Sequence, residues 1–314
     1  MTSSSAGLRL LMMILKIEYK DFMMFSFDAI LQMVIIGFLT GSFYALISLG
    51  LTLILGVLRI INIAHGEFLM IAMYLSYFFV IWLKIDPYVS IFLVAPIMFA
   101  LGSFIYFIAI RPILNDALIN QILLTIGLSI FLQNLALFLF SPDFRTIETP
   151  YSASNILLGS IVIGIPHLIS FIVAAGISVI FYWFLKHTDI GRQVRAAAQQ
   201  KDAAMLVGID VKKIYLITFG LGSALLGVAG PIMVPIYYTS PNIGASFLII
   251  AFVVVVLGGM GNFLGALIGG IIVGIAESLG TLIMPGSMSS VITFSIFLLL
   301  LLFRPEGLFG GRRI

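Results

Sequence analysis

The stretch KHTDIGRQVRAAAQQKDAAMLVGIDVKK, residues 186–213, interrupts a chain that is otherwise almost entirely apolar. It carries six basic and three acidic side chains, and long apolar runs lie on both sides of it. Ionised side chains are costly in hydrocarbon, so this stretch must lie in water. In a membrane protein, a polar stretch of this length is accessible to proteins outside the membrane.

The composition is that of an integral membrane protein. Of 314 residues, 61% are hydrophobic and 9% are charged, whereas a soluble domain carries about 25% charged residues. Because apolar runs near the length of a membrane-spanning helix recur, we expect an all-α polytopic membrane protein with about 8–10 transmembrane helices. The absence of cysteine excludes disulfides and thiol catalysis. A net charge of +3 gives no indication of nucleic-acid binding.

The apolar runs divide the chain into an N-terminal extension, residues 1–28, and a transmembrane domain, residues 29–314. The predicted spans are 29–58, 68–83, 90–110, 117–140, 167–185, 214–236, 245–257, 263–279 and 291–303. The first run exceeds one hydrocarbon core of ~30 Å, so it is either one tilted or broken helix or a span plus a re-entrant segment. Glycines at GxxxG spacing predict close helix contacts; the pairs are Gly37/Gly41, Gly265/Gly269 and Gly270/Gly274.

In the N-terminal extension, apolar residues recur at helical spacing. They are Leu8, Leu11, Met12, Leu15, Tyr19 and Phe22. This pattern predicts an amphipathic helix lying in the membrane interface. A frayed tail is the alternative.

Basic residues set the predicted orientation. The strongest positive clusters are the 186–213 loop, which includes Arg192 and Arg195, and the C-terminal tail, which includes Arg304, Arg312 and Arg313. Both are expected in the cytoplasm. Four predicted crossings separate them, and an even number keeps them on one side. The weakly acidic 141–166 loop then lies outside.

Familiar catalytic motifs are missing from the sequence. There is no phosphate-binding loop, no HExxH zinc motif and no GxSxG elbow. The three histidines are scattered, which argues against a zinc site. We therefore expect no enzymatic activity and no cofactor in this chain itself.

Polar residues near or within the apolar runs are candidates for a translocation path or gate. Arg59, Asn62, His65 and Glu67 lie within nine residues, and Glu277 lies inside the 263–279 span. An ionised group in hydrocarbon needs a partner or a polar cavity. The alternative for residues 59–67 is a short interfacial turn with an ion pair between Arg59 and Glu67. The alternative for Glu277 is a packing or partner contact.

Residues 245–279 consist of two apolar pieces separated by Gly-Gly-Met-Gly-Asn, residues 258–262. The pattern is typical of the discontinuous helices that line transport sites. A plain helical hairpin with a glycine-rich turn is the alternative.

The 186–213 stretch contains a predicted helix of its own. Asp189 is a candidate N-cap, residues 193–207 are Ala-rich, and Gly208 suits the position after a helix end. Asp210 can cap the next span. The small side chains of Ala203 and Ala204 allow a partner to approach closely; an ordinary solvated helix is the alternative.

Four stretches resemble, in chain order, the branched-chain amino acid ABC transporter permease (LivH) family. They are GLTLILGVLRIINIAHGE (50–67), TIGLS (125–129), VLGGMGN (256–262) and LFRPEGLF (302–309). In addition, Asp202-Ala-Ala-x-x-x-Gly208 is similar to the EAA-x3-G loop of bacterial importer permeases, with Asp in place of Glu. The resemblance begins near residue 29 and continues to the C-terminus.

The resemblance implies a type II ABC importer permease fold in the bacterial cytoplasmic (inner) membrane, with a cytoplasmic C-terminus. The implied partners are a homologous second permease (LivM-like) or a second copy of this chain, two cytoplasmic ABC ATPases and a periplasmic amino-acid binding protein. ATP and magnesium would be bound by the ATPases. The helix with Asp202, Ala203, Ala204 and Gly208 would seat in an ATPase groove and couple ATP hydrolysis to transport.

The implied substrates are branched-chain or other hydrophobic amino acids. Permeases for urea or short-chain amides share the Asn62-x-Ala-His-Gly-Glu67 pattern, so they are an alternative. A stand-alone ion-coupled carrier or channel, suggested by Glu277 and the broken 245–279 segment, and a purely structural scaffold are alternatives from other classes.

Overall fold

The computed structural model describes residues 27–283, 289–304 and 307–310. Its elements, in chain order, are α1 (Phe27–Leu58), α2 (His65–Leu83), α3 (Pro87–Ile105), α4 (Leu118–Phe140), β1 (Asn155–Leu158), β2 (Ile161–Gly164), α5 (Ile165–His187), α6 (Asp189–Gln199), α7 (Lys201–Leu206), α8 (Val211–Met233), α9 (Ile243–Gly258), α10 (Phe263–Ile283) and α11 (Ser289–Phe303). A π turn and a 3-10 turn extend α3 to Ile113. The predicted N-terminal amphipathic helix and the tail residues Arg312 and Arg313 lie outside these ranges.

Seven helices in the described part of the chain are long and apolar enough to cross a membrane. They are α1, α2, α3 with its extension, α4, α5, α8 and α10. Helix α9 is a shorter apolar helix of 16 residues. The predicted all-α polytopic membrane architecture is therefore confirmed.

Helix α1 is a single unbroken helix of 32 residues, which corresponds to about 48 Å. The first of the two alternatives for this run is thus correct, without a re-entrant segment. Gly37 and Gly41 of α1 face Gly274 and Gly270 of α10, as the GxxxG spacing predicted. A methyl group on Gly41 would lie 2.7 Å from the carbonyl oxygen of Gly270, so only glycine permits this approach.

Three features lie at one end of the bundle: the charged loop, the α9–α10 break and the C-terminal segment. Gly261 lines a cavity together with Arg59 and Gln199 of α6. The Leu308 amide donates a 2.7 Å hydrogen bond to the Leu257 carbonyl, and Asn262 Nδ2 donates to the Phe309 carbonyl at 3.2 Å. The charged loop and the chain end therefore lie at the same end, as the even number of crossings required.

The opposite end carries the 141–164 loop, whose β1–β2 hairpin is antiparallel and was not predicted. Arg145 and Thr239 exchange backbone hydrogen bonds of 2.9 and 2.7 Å, which joins this loop to the segment before α9. The Tyr151 hydroxyl donates a 2.6 Å hydrogen bond to Asp86, the N-cap of α3. Burial raises the pKa of Tyr151, and the hydrogen bond to the Asp86 carboxylate raises it further.

Candidate coupling surface and interior polar sites

The charged loop folds as two helices rather than one. Thr188, not Asp189, is the N-cap of α6, since its hydroxyl accepts a 3.1 Å hydrogen bond from the Gly191 amide. Asp189 lies in the first turn and forms an ion pair with Arg192. The predicted 193–207 helix is interrupted at Gln200, whose extended backbone separates α6 from α7. Helix α6 packs against α1, α5 and α8, which anchors this part of the loop to the bundle.

Three of the four residues predicted to couple to an ATPase, Asp202, Ala203 and Ala204, lie on α7, and the fourth, Gly208, follows its end. Ala204 is 3% exposed and faces the bundle, whereas Asp202 and Ala203 are exposed to solvent. Gly208 has a φ of +86°, and its amide donates to the Met205 carbonyl at 3.1 Å, so it ends the helix as predicted. Asp210 caps α8 by accepting a 3.2 Å hydrogen bond from the Lys213 amide, also as predicted.

The most exposed side chains at the end of α7 are apolar. Leu206 is 89% exposed and Val207 is 77% exposed. Apolar side chains held out from a water-facing surface are typical of an interaction site. This pair was not predicted, although an apolar Met-Leu-Val triplet within a polar loop was a usable signal. We call Leu206 and Val207 the α7 tip.

A cavity of about 1060 Å³ lies beside α7. Its charged lining residues are Arg59, Arg111, Lys201, Asp202, Asp210 and Lys212. Arg59 is exposed, with a φ of +60°, and forms no ion pair with Glu67. The Arg59–Glu67 ion pair, which was the alternative interpretation of residues 59–67, is therefore wrong. After α1 the chain enters the interior of the bundle, so Glu67 lies away from the surface.

Two further basic residues were assigned to topology or ion pairing. Arg192 makes the ion pair with Asp189 described above. Arg195 instead donates from Nη2 to the Lys186 carbonyl at 3.4 Å, which ties α6 to the end of α5.

Helix α2 begins inside the bundle rather than at its end. His65, its first residue, is buried, and its Nε2 lies 3.0 Å from the carbonyl oxygen of Ile47. Ile47 is 11 residues before the end of α1, a distance of about 16 Å along a helix. Helix α9 begins at the same level, since the Gly66 and Gly244 backbones are in contact. Two helices therefore start face to face in the interior, an arrangement typical of discontinuous transporter helices.

Glu67 lies at this α2–α9 junction and is 3% exposed. Its Oε1 accepts a 2.6 Å hydrogen bond from the Ser129 hydroxyl of α4. Its Oε2 lies against Gly244 and has no hydrogen-bond partner among the described residues. The partial positive charges at the two helix starts favour a carboxylate here.

Asn62 is also buried at the junction, at 1% exposed. Neither polar atom of its side chain has a hydrogen-bond partner within the ranges that the structure describes. Thr125 of α4 donates a 3.1 Å hydrogen bond to the Ile61 carbonyl and so fixes the segment before α2. Asn62, His65 and Glu67 are thus all buried near the start of α2, but their side chains contact different elements: His65 contacts α1, and Glu67 contacts α4 and α9.

Glu277 belongs to a second cluster. Its carboxyl group interacts with the hydroxyl of Tyr44 on α1, which also interacts with Tyr237. Phe247 of α9 contacts both tyrosine rings. Gly244 contacts Glu67, and Phe247 contacts the two tyrosines. The start of α9 therefore borders both clusters, which remain separate.

These features define a class of protein: a polytopic helical membrane protein with helix starts in its interior and a short exposed helix at one end. Residues 33–301 match the family described as branched-chain amino acid transport system / permease component. The chain belongs to that family.

Two relatives align with most of the chain. The high-affinity branched-chain amino acid transport system permease protein BraD of Pseudomonas aeruginosa is 32% identical over 89% of this chain and 95% of its own length. The corresponding protein LivH of Escherichia coli is 31% identical with the same coverage. The ribose import permease protein RbsC of Haemophilus influenzae is 29% identical over 59% of each chain. No solved structure matches the chain.

Proposed function

We propose that this permease imports branched-chain or other hydrophobic amino acids across the bacterial cytoplasmic membrane, with the type II importer fold and a cytoplasmic C-terminus. The observation that carries this proposal is the match over most of the chain to permeases named for branched-chain amino acid transport. The orientation is supported by the basic residues of the 186–213 loop, which the positive-inside rule assigns to the cytoplasm.

The energy for transport comes from partner subunits in this proposal. The sequence has no phosphate-binding loop, so ATP and magnesium are bound by two cytoplasmic ABC ATPases. The α7 tip offers these ATPases an apolar anchor, with Asp202 and Ala203 exposed beside it. Buried Ala204 and the turn at Gly208 hold that tip against α8, so that its displacement reaches the bundle.

The interior helix starts supply the translocation path or gate. Asn62 and Glu67 retain polar atoms without hydrogen-bond partners in the part of the chain that the structure describes, and so does Glu277. Buried polar groups normally have partners, and exceptions need an explanation. Intermittent contact with a polar substrate is that explanation here.

The complete transporter contains a second permease, either homologous or a second copy of this chain, and a periplasmic binding protein that delivers the amino acid. In this proposal the binding protein provides most of the selectivity.

The test is uptake by the reconstituted complex in proteoliposomes. Labelled leucine, urea and acetamide are supplied with the binding protein, with and without internal ATP. We expect leucine uptake that requires ATP and survives collapse of ion gradients. Uptake of urea or acetamide in place of leucine would support an amide permease. Gradient-driven uptake without any ATPase would support an ion-coupled carrier and contradict the proposal.

A further inference from the structure

Four aromatic side chains form a closed circuit of ring contacts near Glu277. Phe43 and Tyr44 come from α1, Phe247 from α9, and Tyr237 from the segment between α8 and α9. The ring centroids are 5.2 Å apart for Phe43–Tyr44, 6.2 Å for Tyr44–Phe247, 5.3 Å for Phe247–Tyr237 and 5.9 Å for Tyr237–Phe43. We call these four residues the aromatic box.

Glu277 of α10 borders this box. Its carboxyl group lies near the hydroxyl groups of Tyr44 and Tyr237. Its Oε2 is shielded from solvent and has no hydrogen-bond partner among the residues that the structure describes.

The elements that build the box provide no cation for this carboxylate. Residues 27–58, 234–258 and 263–283 contain no Lys, Arg or His. An acidic side chain within a membrane normally pairs with a basic group or lines a substrate path. These segments therefore leave the carboxyl group of Glu277 without a basic partner.

We propose that Glu277 and the aromatic box form the subsite that recognises the ammonium group of the transported amino acid. This inference rests on the proposed function. A carboxylate supplies the opposite charge, and the faces of Tyr and Phe rings attract an ammonium group by cation–π interaction. Neutral amides and sugars lack the charge that this arrangement complements.

The box is closed in this structure, since each ring contacts its neighbours. Tyr237 is the ring placed to move, because it lies in the non-helical segment before α9, whereas Phe43, Tyr44 and Phe247 are held in helices. Displacement of Tyr237 opens the box on the side that leads to the 141–164 loop, which Thr239 joins through Arg145.

The test compares Glu277→Gln, which removes the charge and keeps the shape, with Glu148→Gln, which removes a charge from the exposed outer loop. Both are assayed in the complete reconstituted transporter for assembly, basal ATP hydrolysis and ATP-driven leucine uptake. We expect Glu277→Gln to lower uptake about tenfold or more while assembly and basal hydrolysis stay normal. Glu148→Gln should stay within about twofold of the wild type, and Glu277→Asp should recover part of the lost uptake because it keeps the charge.

A second variant, Phe247→Leu, removes one ring while keeping an apolar side chain, and it should also lower leucine uptake. Normal uptake by both Glu277→Gln and Phe247→Leu would overturn the subsite, and so would a failure of Glu277→Asp to exceed Glu277→Gln. If the wild-type complex takes up no leucine, the proposed function itself fails. If the wild type takes up leucine and the variants match it, only the ammonium subsite fails.

Discussion

Gly66 and Gly244 meet backbone to backbone at the starts of α2 and α9. Neither helix could begin where it does if either residue carried a side chain, because an added Cβ would overlap the backbone of the other glycine. This contact sets the distance between α2, which holds Glu67, and α9, which holds Phe247. Both buried clusters therefore depend on it.

Gly66→Ala is expected to destabilise the protein by about 1–3 kcal/mol, because the new methyl group forces two packed backbones apart. The measurement is thermal unfolding of the purified protein in detergent. Gly127→Ala on α4 is the matched control, since an added Cβ there meets nothing within 4 Å. Equal melting temperatures for the two variants would contradict the tight contact.

Ser129→Ala removes the only donor that the described residues provide to Glu67 Oε1. We expect a loss of about 1–3 kcal/mol, the usual cost of leaving a buried polar group unsatisfied. In the Glu67→Gln background the same change should cost less, so a double-mutant cycle isolates the coupling. Ser295→Ala, at an exposed residue of α11, is the control and should change the melting temperature little. Additive effects of Ser129→Ala and Glu67→Gln would show that the two groups do not interact.

Leu206→Asp and Val207→Asp place a charge on the α7 tip. We expect each to lower co-purification with the ATPases and ATP-driven uptake by about tenfold or more, because an apolar anchor in a partner groove is lost. Leu157→Asp is the control, an exposed apolar residue of the hairpin at the other end of the bundle. It should leave ATPase binding unchanged. Normal ATPase binding by both tip variants would show that the α7 tip is not part of the coupling surface.

Tyr151→Phe removes the hydrogen bond that holds the 141–164 loop to Asp86. We expect a loss of about 0.5–1.5 kcal/mol at neutral pH. Because folding raises the pKa of Tyr151, its contribution is present below the unfolded pKa of about 10 and is lost as the pH rises further. The difference in melting temperature between wild type and Tyr151→Phe should therefore be larger at pH 8 than at pH 11. Tyr238→Phe, at an exposed ring, serves as the control; a difference that does not change with pH would contradict the hydrogen bond.

Features that depend on local sequence were predictable. The membrane helices could be predicted from the apolar runs because burial in hydrocarbon requires long unbroken apolar segments. Gly208 and Asp210 were assigned correctly because helix ends have local chemical requirements. The break at residues 258–262 was predictable from its glycines, and the GxxxG spacing predicted close helix contacts without identifying α1 and α10 as partners.

Features that depend on contacts between distant segments were not predictable. The start of α2 at His65 is fixed by contacts with Ile47 and Gly244 that sequence periodicity does not reveal. For the same reason the Arg59–Glu67 ion pair was wrong, since proximity along the chain did not translate into proximity in space. The aromatic box draws on three separate segments, and only the fold brings them together.

The attachment of Leu308 and Phe309 to Leu257 and Asn262 has a consequence for how this protein is made. The hydrogen bonds that finish the α9–α10 break come from residues near the end of the 314-residue chain. Phe309 follows Asn262 by 47 residues, so the break acquires these hydrogen bonds only after α10 and α11 have been synthesised. A chain truncated before Leu308 would keep every helix described here and still lack these two hydrogen bonds.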